Sequence, residues 1–232
     1  MPVLRHLAGF VLALSIGAAV ARPAAALPIA TWDVAGSSGQ TASVLASEPL
    51  TSATTLIGFN VTPWPGGLCC FTAAAGWSLA FDSTRYYEFS VSADPGHAIL
   101  YESISLSLFR GIQGATHGAE SWELRSSADA FASTLASFSL AGSANDEQVL
   151  FSGVDISSLG ALPGTVIFRL YGFDYTSATD FSGLGAQPLG AGPLTGTGSN
   201  LVIAGLVTPE PGTGLLVAAG LVTLGLLPRP RR

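Results

Sequence analysis

Through the middle of the chain apolar and polar residues alternate, the spacing that lines one face of a β-strand. Tyr87, Phe89 and Val91 alternate with Glu88, Ser90 and Ser92, and Ile104, Leu106 and Leu108 with Ser103, Ser105 and Ser107. Val166, Phe168 and Leu170 alternate with Ile167, Arg169 and Tyr171, while Trp122 and Leu124 sit between Ser121, Glu123 and Arg125. The runs 55–59 and 201–206 read as further strands. Serine and threonine on the polar side suit an antiparallel sheet with one face in water. The pattern predicts an all-β body.

One stretch carries a competing period. Phe131, Leu135 and Phe138 fall at i, i+4 and i+7, a helical stripe. Phe138 and Leu140 alternate again, however, and Ser126-Ser127-Ala128-Asp129 has turn chemistry, so residues 121–140 are expected to form a hairpin. Turn signals recur at Pro65-Gly66-Gly67, Ala93-Asp94-Pro95-Gly96 and Pro163-Gly164. Many short strands between such turns predict an antiparallel β-sandwich or jelly roll. Residues 183–200 are rich in Gly, Pro and Thr and read as a long loop into a last strand over 200–207.

The two ends have a different character. Arg5 precedes an apolar run over 7–20, and Ala24-Ala25-Ala26 supplies the small residues of a signal-peptidase site. Ala19-Val20-Ala21 offers a second such site upstream, but cleavage after Ala26 is favoured because Leu27-Pro28 opens a non-helical stretch. At 14 residues the run is shorter than the roughly 20 that span a bilayer, which predicts a cleaved signal peptide over 1–26. At the other end Pro209-Glu210-Pro211 leads into an apolar run over 215–227, followed by Arg229, Arg231 and Arg232. The arginines would stay on the cytoplasmic side, leaving the body outside. That run too is short, and Gly212, Gly214, Gly220 and Gly225 lie in or just before it.

This order of triplet, apolar run and terminal arginines resembles the PEP-CTERM sorting signal of Gram-negative bacteria. The stretch Ser121-Trp122-Glu123-Leu124-Arg125-Ser126-Ser127, then Asp129 and Phe131, is similar to a recurrent segment of the same proteins, although Ala130 stands where the family stretch usually has Gly. There the segment lies within a predicted β-sandwich. The resemblance implies a sorting helix over 208–232, transient inner-membrane anchoring through the arginines, and processing by an exosortase-type membrane protease after signal peptidase. It also implies an association with exopolysaccharide. The body between the ends is then 27–207, one domain's worth of chain.

Charge narrows the partners. The chain has nine arginines and no lysine; Arg5, Arg22, Arg229, Arg231 and Arg232 lie in the ends. The body keeps four basic against 14 acidic residues, a formal net charge of −10. It has no basic patch to displace counterions from phosphates, so nucleic acid is excluded as a partner.

Chemistry-bearing motifs are sparse. Cys69 and Cys70 are adjacent, and their Cα atoms, about 3.8 Å apart across a trans peptide, are closer than the roughly 4.4–6.8 Å of ordinary disulfides. Buried thiols, a strained vicinal bridge, an intermolecular bridge and a soft metal site remain open; export to an oxidising compartment raises the vicinal bridge. There is no G-x-S-x-G elbow, H-E-x-x-H motif or phosphate loop, and the body's histidines are His97 and His117. Glu120 and Glu123 flank Trp122 but, three apart on a strand, project to opposite faces and cannot bracket one glycosidic bond. Asp146, Glu147, Asp174 and Asp180 have calcium-type oxygen donors without a D-x-D-x-D-G loop. No catalytic residue, cofactor or metal is expected.

Two functions fit these residues: a non-catalytic surface or matrix protein, and a lectin-like carbohydrate-binding module. Trp32, Trp64, Trp77, Trp122 and the tyrosines discriminate between them. Rings aligned in solvent would favour glycan stacking, and buried rings the structural reading.

Overall fold

The computed structural model describes residues 26–34, 41–63, 71–113, 116–141, 148–177, 180–185 and 200–210. Among them the regular structure is β-strand, with two single turns of 3₁₀-helix and no α-helix. The first strands are β1 (Leu27–Asp33), β2 (Thr41–Ser47), β3 (Thr51–Ala53), β4 (Leu56–Phe59) and β5 (Thr62–Pro63). Then come β6 (Phe71–Ala75), β7 (Tyr86–Ala93), β8 (His97–Arg110), β9 (Ile112–Gln113) and β10 (Thr116–His117). The rest are β11 (Ser121–Ser126), β12 (Ala136–Ser139), β13 (Val149–Asp155), β14 (Ala161–Pro163), β15 (Thr165–Phe173), β16 (Ser182–Gly185) and β17 (Leu201–Pro209).

One path of hydrogen bonding runs β12-β11-β15-β7-β4-β2-β1-β17-β8-β16-β6-β5, with β13 and β14 on β8 and β3 on β7; β9 and β10 form a separate pair. The strand pairs are antiparallel. β2 links the halves of the path, because Thr41 and Ala42 pair with β4 whereas Ser43 to Ser47 pair with β1. Rings from strands far apart along the path nevertheless meet: Trp32 of β1 with Phe89 of β7 at 4.8 Å, Tyr101 of β8 with Phe168 of β15 at 5.5 Å. The halves therefore share one apolar cluster, in which Trp32, Trp77, Trp122, Tyr87 and Tyr101 are all buried. Each large apolar side chain so buried contributes about 2–3 kcal/mol on leaving water.

The alternations predict the inward positions. Phe89, Val91, Ile104, Leu106, Leu108, Trp122, Leu124, Val166, Phe168 and Leu170 are buried, and their polar neighbours are mostly more exposed. Residues 121–140 form the expected hairpin, with Ser121 opposite Ser139 and Leu124 opposite Ala136. Its turn closes through Ser127–Asp129 and then Ala130 and Phe131 at φ 59° and 63°. Two successive left-handed residues end the helical stripe at its first member and send Phe131 to the outer face, where Arg169 covers its ring at 3.9 Å. Ala130 thus makes the tight turn without glycine. The Asp129 carboxylate holds it, accepting the Ala132 and Ser133 N–H groups at 3.2 and 2.9 Å.

The end of the body differs from expectation in two places. Gly183, Leu184 and Gly185, read as the start of a loop, belong to β16 between β6 and β8. A Cβ on Gly183 would stand 2.0 Å from the Thr72 carbonyl oxygen, so the low-complexity composition here reflects close strand approach. The last strand also continues two residues past 207, to Pro209.

Candidate functional site

β17 is built from alternating Leu201, Ile203 and Gly205 facing inward, and it lies between β1 and β8. Its last residues stay in register with the start of β8: Val207 opposite Ile99, Thr208 opposite Ala98, Pro209 opposite His97. The Thr208 hydroxyl donates to the Ala98 carbonyl at 3.3 Å, and the Glu210 N–H donates to the Gly96 carbonyl at 2.9 Å. Pro209 has no N–H to give the ladder, and a strand terminus tolerates that loss. The first two residues of the triplet are therefore fastened to the β7–β8 turn, where Gly96 takes φ 81° and His97 donates its N–H to Asp94. The His97 Nδ1 atom beside them is buried without a hydrogen-bond partner. Pro211, Arg229, Arg231, Arg232, Cys69 and Cys70 lie outside the described residues, as do the leader run, Trp64, Asp146 and Glu147. Among the described residues no helix is long and apolar enough to cross a membrane.

The described tryptophans do not form a stacking platform. Trp32, Trp77 and Trp122 are buried, and Trp77 and Trp122 meet edge to face at 4.9 Å. The Trp77 indole N–H donates to Ala74 and that of Trp32 to Thr54. The Trp122 indole nitrogen has no partner. Burial also pushes the Tyr87 and Tyr101 hydroxyls well above the ordinary phenol range.

A second cluster covers the outer face of β11, β15 and β7. Arg125 lies over Phe81 at 4.0 Å, and Arg169 over Tyr86 at 4.3 Å and Phe131 at 3.9 Å. Glu123 receives Arg125 at 2.7 Å, and Glu88 receives Arg169 at 2.8 Å. Burial tends to raise the Glu123 carboxyl, but the Thr134 hydroxyl and Arg125 outweigh it and hold it below the usual range. Tyr171 is outward-pointing yet covered by Phe81 and Tyr86, at 5.0 and 5.4 Å between ring centres. Sequence reasoning missed this cluster. Its signal was the outward position of Arg169 and Tyr171, but Phe81 comes from a loop and Phe131 from a turn.

Glu120 and Glu123 serve different partners. One Glu120 oxygen meets Arg110 at 2.6 Å and the other His117 at 3.5 Å, while the His117 Nδ1 atom is 2.9 Å from the Gly118 carbonyl. Asp174 accepts a hydrogen bond from the Ser121 hydroxyl at 3.3 Å, and Asp180 is buried with Oδ2 unpartnered. No group of three His, Cys, Asp or Glu among the described residues is placed to hold a metal. Comparison with protein-family models, curated proteins and solved structures finds no match.

Proposed function

We propose that this chain is an exported, non-catalytic cell-surface or extracellular-matrix protein. Its body is a β-sandwich or jelly roll, its leader is removed by signal peptidase, and its tail is a PEP-CTERM signal processed by an exosortase-type membrane protease. The observation that carries the reading is the order Pro209-Glu210-Pro211, apolar run 215–227, then Arg229, Arg231 and Arg232. The burial of Trp32, Trp77 and Trp122 supports a structural body over a stacking lectin, and the contacts of Trp32 with Phe89 and Tyr101 with Phe168 support the sandwich. A body at −10 stays soluble by self-repulsion and meets acidic exopolysaccharide only through a divalent cation.

Intact-mass analysis of the protein from outside an exosortase-active cell tests this. A mature chain starting near Leu27 and lacking residues 215–232 is expected; an unprocessed C-terminus sinks the sorting claim. The second reading, a lectin-like module, rests on the partly exposed rings of Phe59 and Phe81 on the outer face. Pull-down on acidic glycans in chelator separates the two. Weak or no binding is expected, and strong binding lost on Phe81→Ala would favour the lectin. Turnover of a glycoside or ester would overturn both.

A further inference from the structure

The register of β1 against β17 brings the two ends of the body together. Leu27 pairs with Gly205, so the chain enters the sheet beside the place where β17 runs out toward Pro209. Around that place lies a groove of about 240 Å³ lined by Leu27, Ile29, Pro49, Leu50, Leu206 and Val207. Leu27, Leu50 and Leu206 are 53%, 47% and 36% exposed. Leu50 does so at a cost: it sits in the left-handed region at φ 69°, which strains any residue with a Cβ.

Two apolar runs flank this end in sequence, and both tethers are short. Glu210 and Leu215 are five residues apart, and Val20 and Leu27 seven. Even fully extended these span at most about 18 Å and about 25 Å. A chain held in a bilayer by either run therefore keeps this end within about 25 Å of the hydrocarbon, of which roughly 6 Å is headgroup layer. The opposite end of the sheet is turned away. There Leu79, 69% exposed, accepts a hydrogen bond from the Asp174 N–H just beyond the last residue of β15.

We infer that the Leu27–Leu50–Leu206 rim is a lipid-contacting surface that seats the body on the bilayer while the chain is tethered. The inference rests on the tethering reading of the ends. The apolar rim enters the headgroup layer, and Glu48 in the groove's lining, with the acidic body behind, makes a zwitterionic surface the favoured one.

The test uses the full chain in zwitterionic phosphatidylcholine vesicles doped with a photoactivatable phosphatidylcholine. Vesicle flotation is scored first, then lipid adducts are mapped by mass spectrometry. Adducts on peptides carrying Leu50 and Leu206, but not on that carrying Leu79, are expected. Leu206→Glu should cut rim adducts about tenfold, the ratio that burial of one leucine supports. Leu50→Gly separates docking from folding: relief of the left-handed strain should raise the melting temperature while rim adducts fall. A chain that fails to float with the vesicles overturns the tethering reading and this inference with it. Flotation with adducts at Leu79 equal to those at the rim, or with rim-to-rim protein cross-links in place of lipid adducts, overturns this inference alone.

Discussion

Arg125 on β11 and Arg169 on β15 stand directly opposite one another as Cα partners in the sheet. Like charges so placed destabilise a strand pair. Each is offset locally, because Glu123 lies two residues before Arg125 and Glu88 is the cross-strand partner of Arg169 on β7. The four charges thus run Glu88, Arg169, Arg125, Glu123, each arginine held by one carboxylate, with Phe81, Tyr86 and Phe131 lying against the guanidinium groups. Removing Glu88 leaves two arginines facing each other with one counter-charge. Glu88→Gln is expected to lower stability by about 1 kcal/mol in low salt, and by less at high salt. Urea melts at two ionic strengths check this, and Glu88→Gln combined with Arg169→Gln should recover part of the loss.

Tyr101 is buried with its hydroxyl unpartnered, an arrangement that costs desolvation without a hydrogen bond in return. Tyr101→Phe is expected to stabilise the protein by about 1 kcal/mol at neutral pH. The same burial lifts the folded-state ionisation of Tyr101 and Tyr87 far above that of the unfolded chain. A folded pKa raised in this way gives stability that is complete below the unfolded value of about 10 and lost as pH rises beyond it. Alkaline unfolding should therefore begin near pH 10. Its slope should fall by about 1.4 kcal/mol per pH unit in Tyr101→Phe. Equilibrium melts between pH 8 and pH 11, about one unit past that onset, measure both effects.

Ala130 turns the β11–β12 hairpin at φ 59°, ψ 34°, a conformation that costs a residue with a Cβ roughly 1–2 kcal/mol. Glycine takes it freely but loses more entropy on folding, so Ala130→Gly should stabilise by about 1 kcal/mol. A lower melting temperature in this variant would show that the turn relaxes away from the left-handed region.

β17 lies between β1 and β8, so it joins the two parts of the hydrogen-bonded path on either side of it. A chain ending after Glu210 should keep the full ladder and melt as the full-length chain does. One ending after Asn200 loses both neighbours' pairing and should lack a cooperative transition. Calorimetry of the two truncations decides this. Loss of the residues from Thr208 onward would also remove the Ala98 and His97 pairings, so a truncation that keeps the whole ladder ends beyond Pro209.

The inward positions of β7, β8, β11 and β15 were legible in the sequence because strand side chains alternate with a fixed period of two, and burial follows that period wherever one face is covered. The hairpin over 121–140 was legible for the same reason, since its turn chemistry outweighed the helical spacing of Phe131, Leu135 and Phe138. The triplet, the apolar runs and the terminal arginines are likewise linear features, read directly from residue order. Tertiary structure decided what depends on strands meeting that are distant in sequence. The segment Gly183-Leu184-Gly185 is a strand because it pairs with β6 and β8, and β6 approaches Gly183 too closely for a Cβ there. The row of four charges needs β7, β11 and β15 side by side, and Phe81 from a loop to cover it. The fastening of Glu210 to Gly96, and the meeting of Leu27, Leu50 and Leu206 in one rim, follow from register between strands. The period of two specifies which way a side chain points along its own strand; which strand lies beside it is set by the packing of the whole chain.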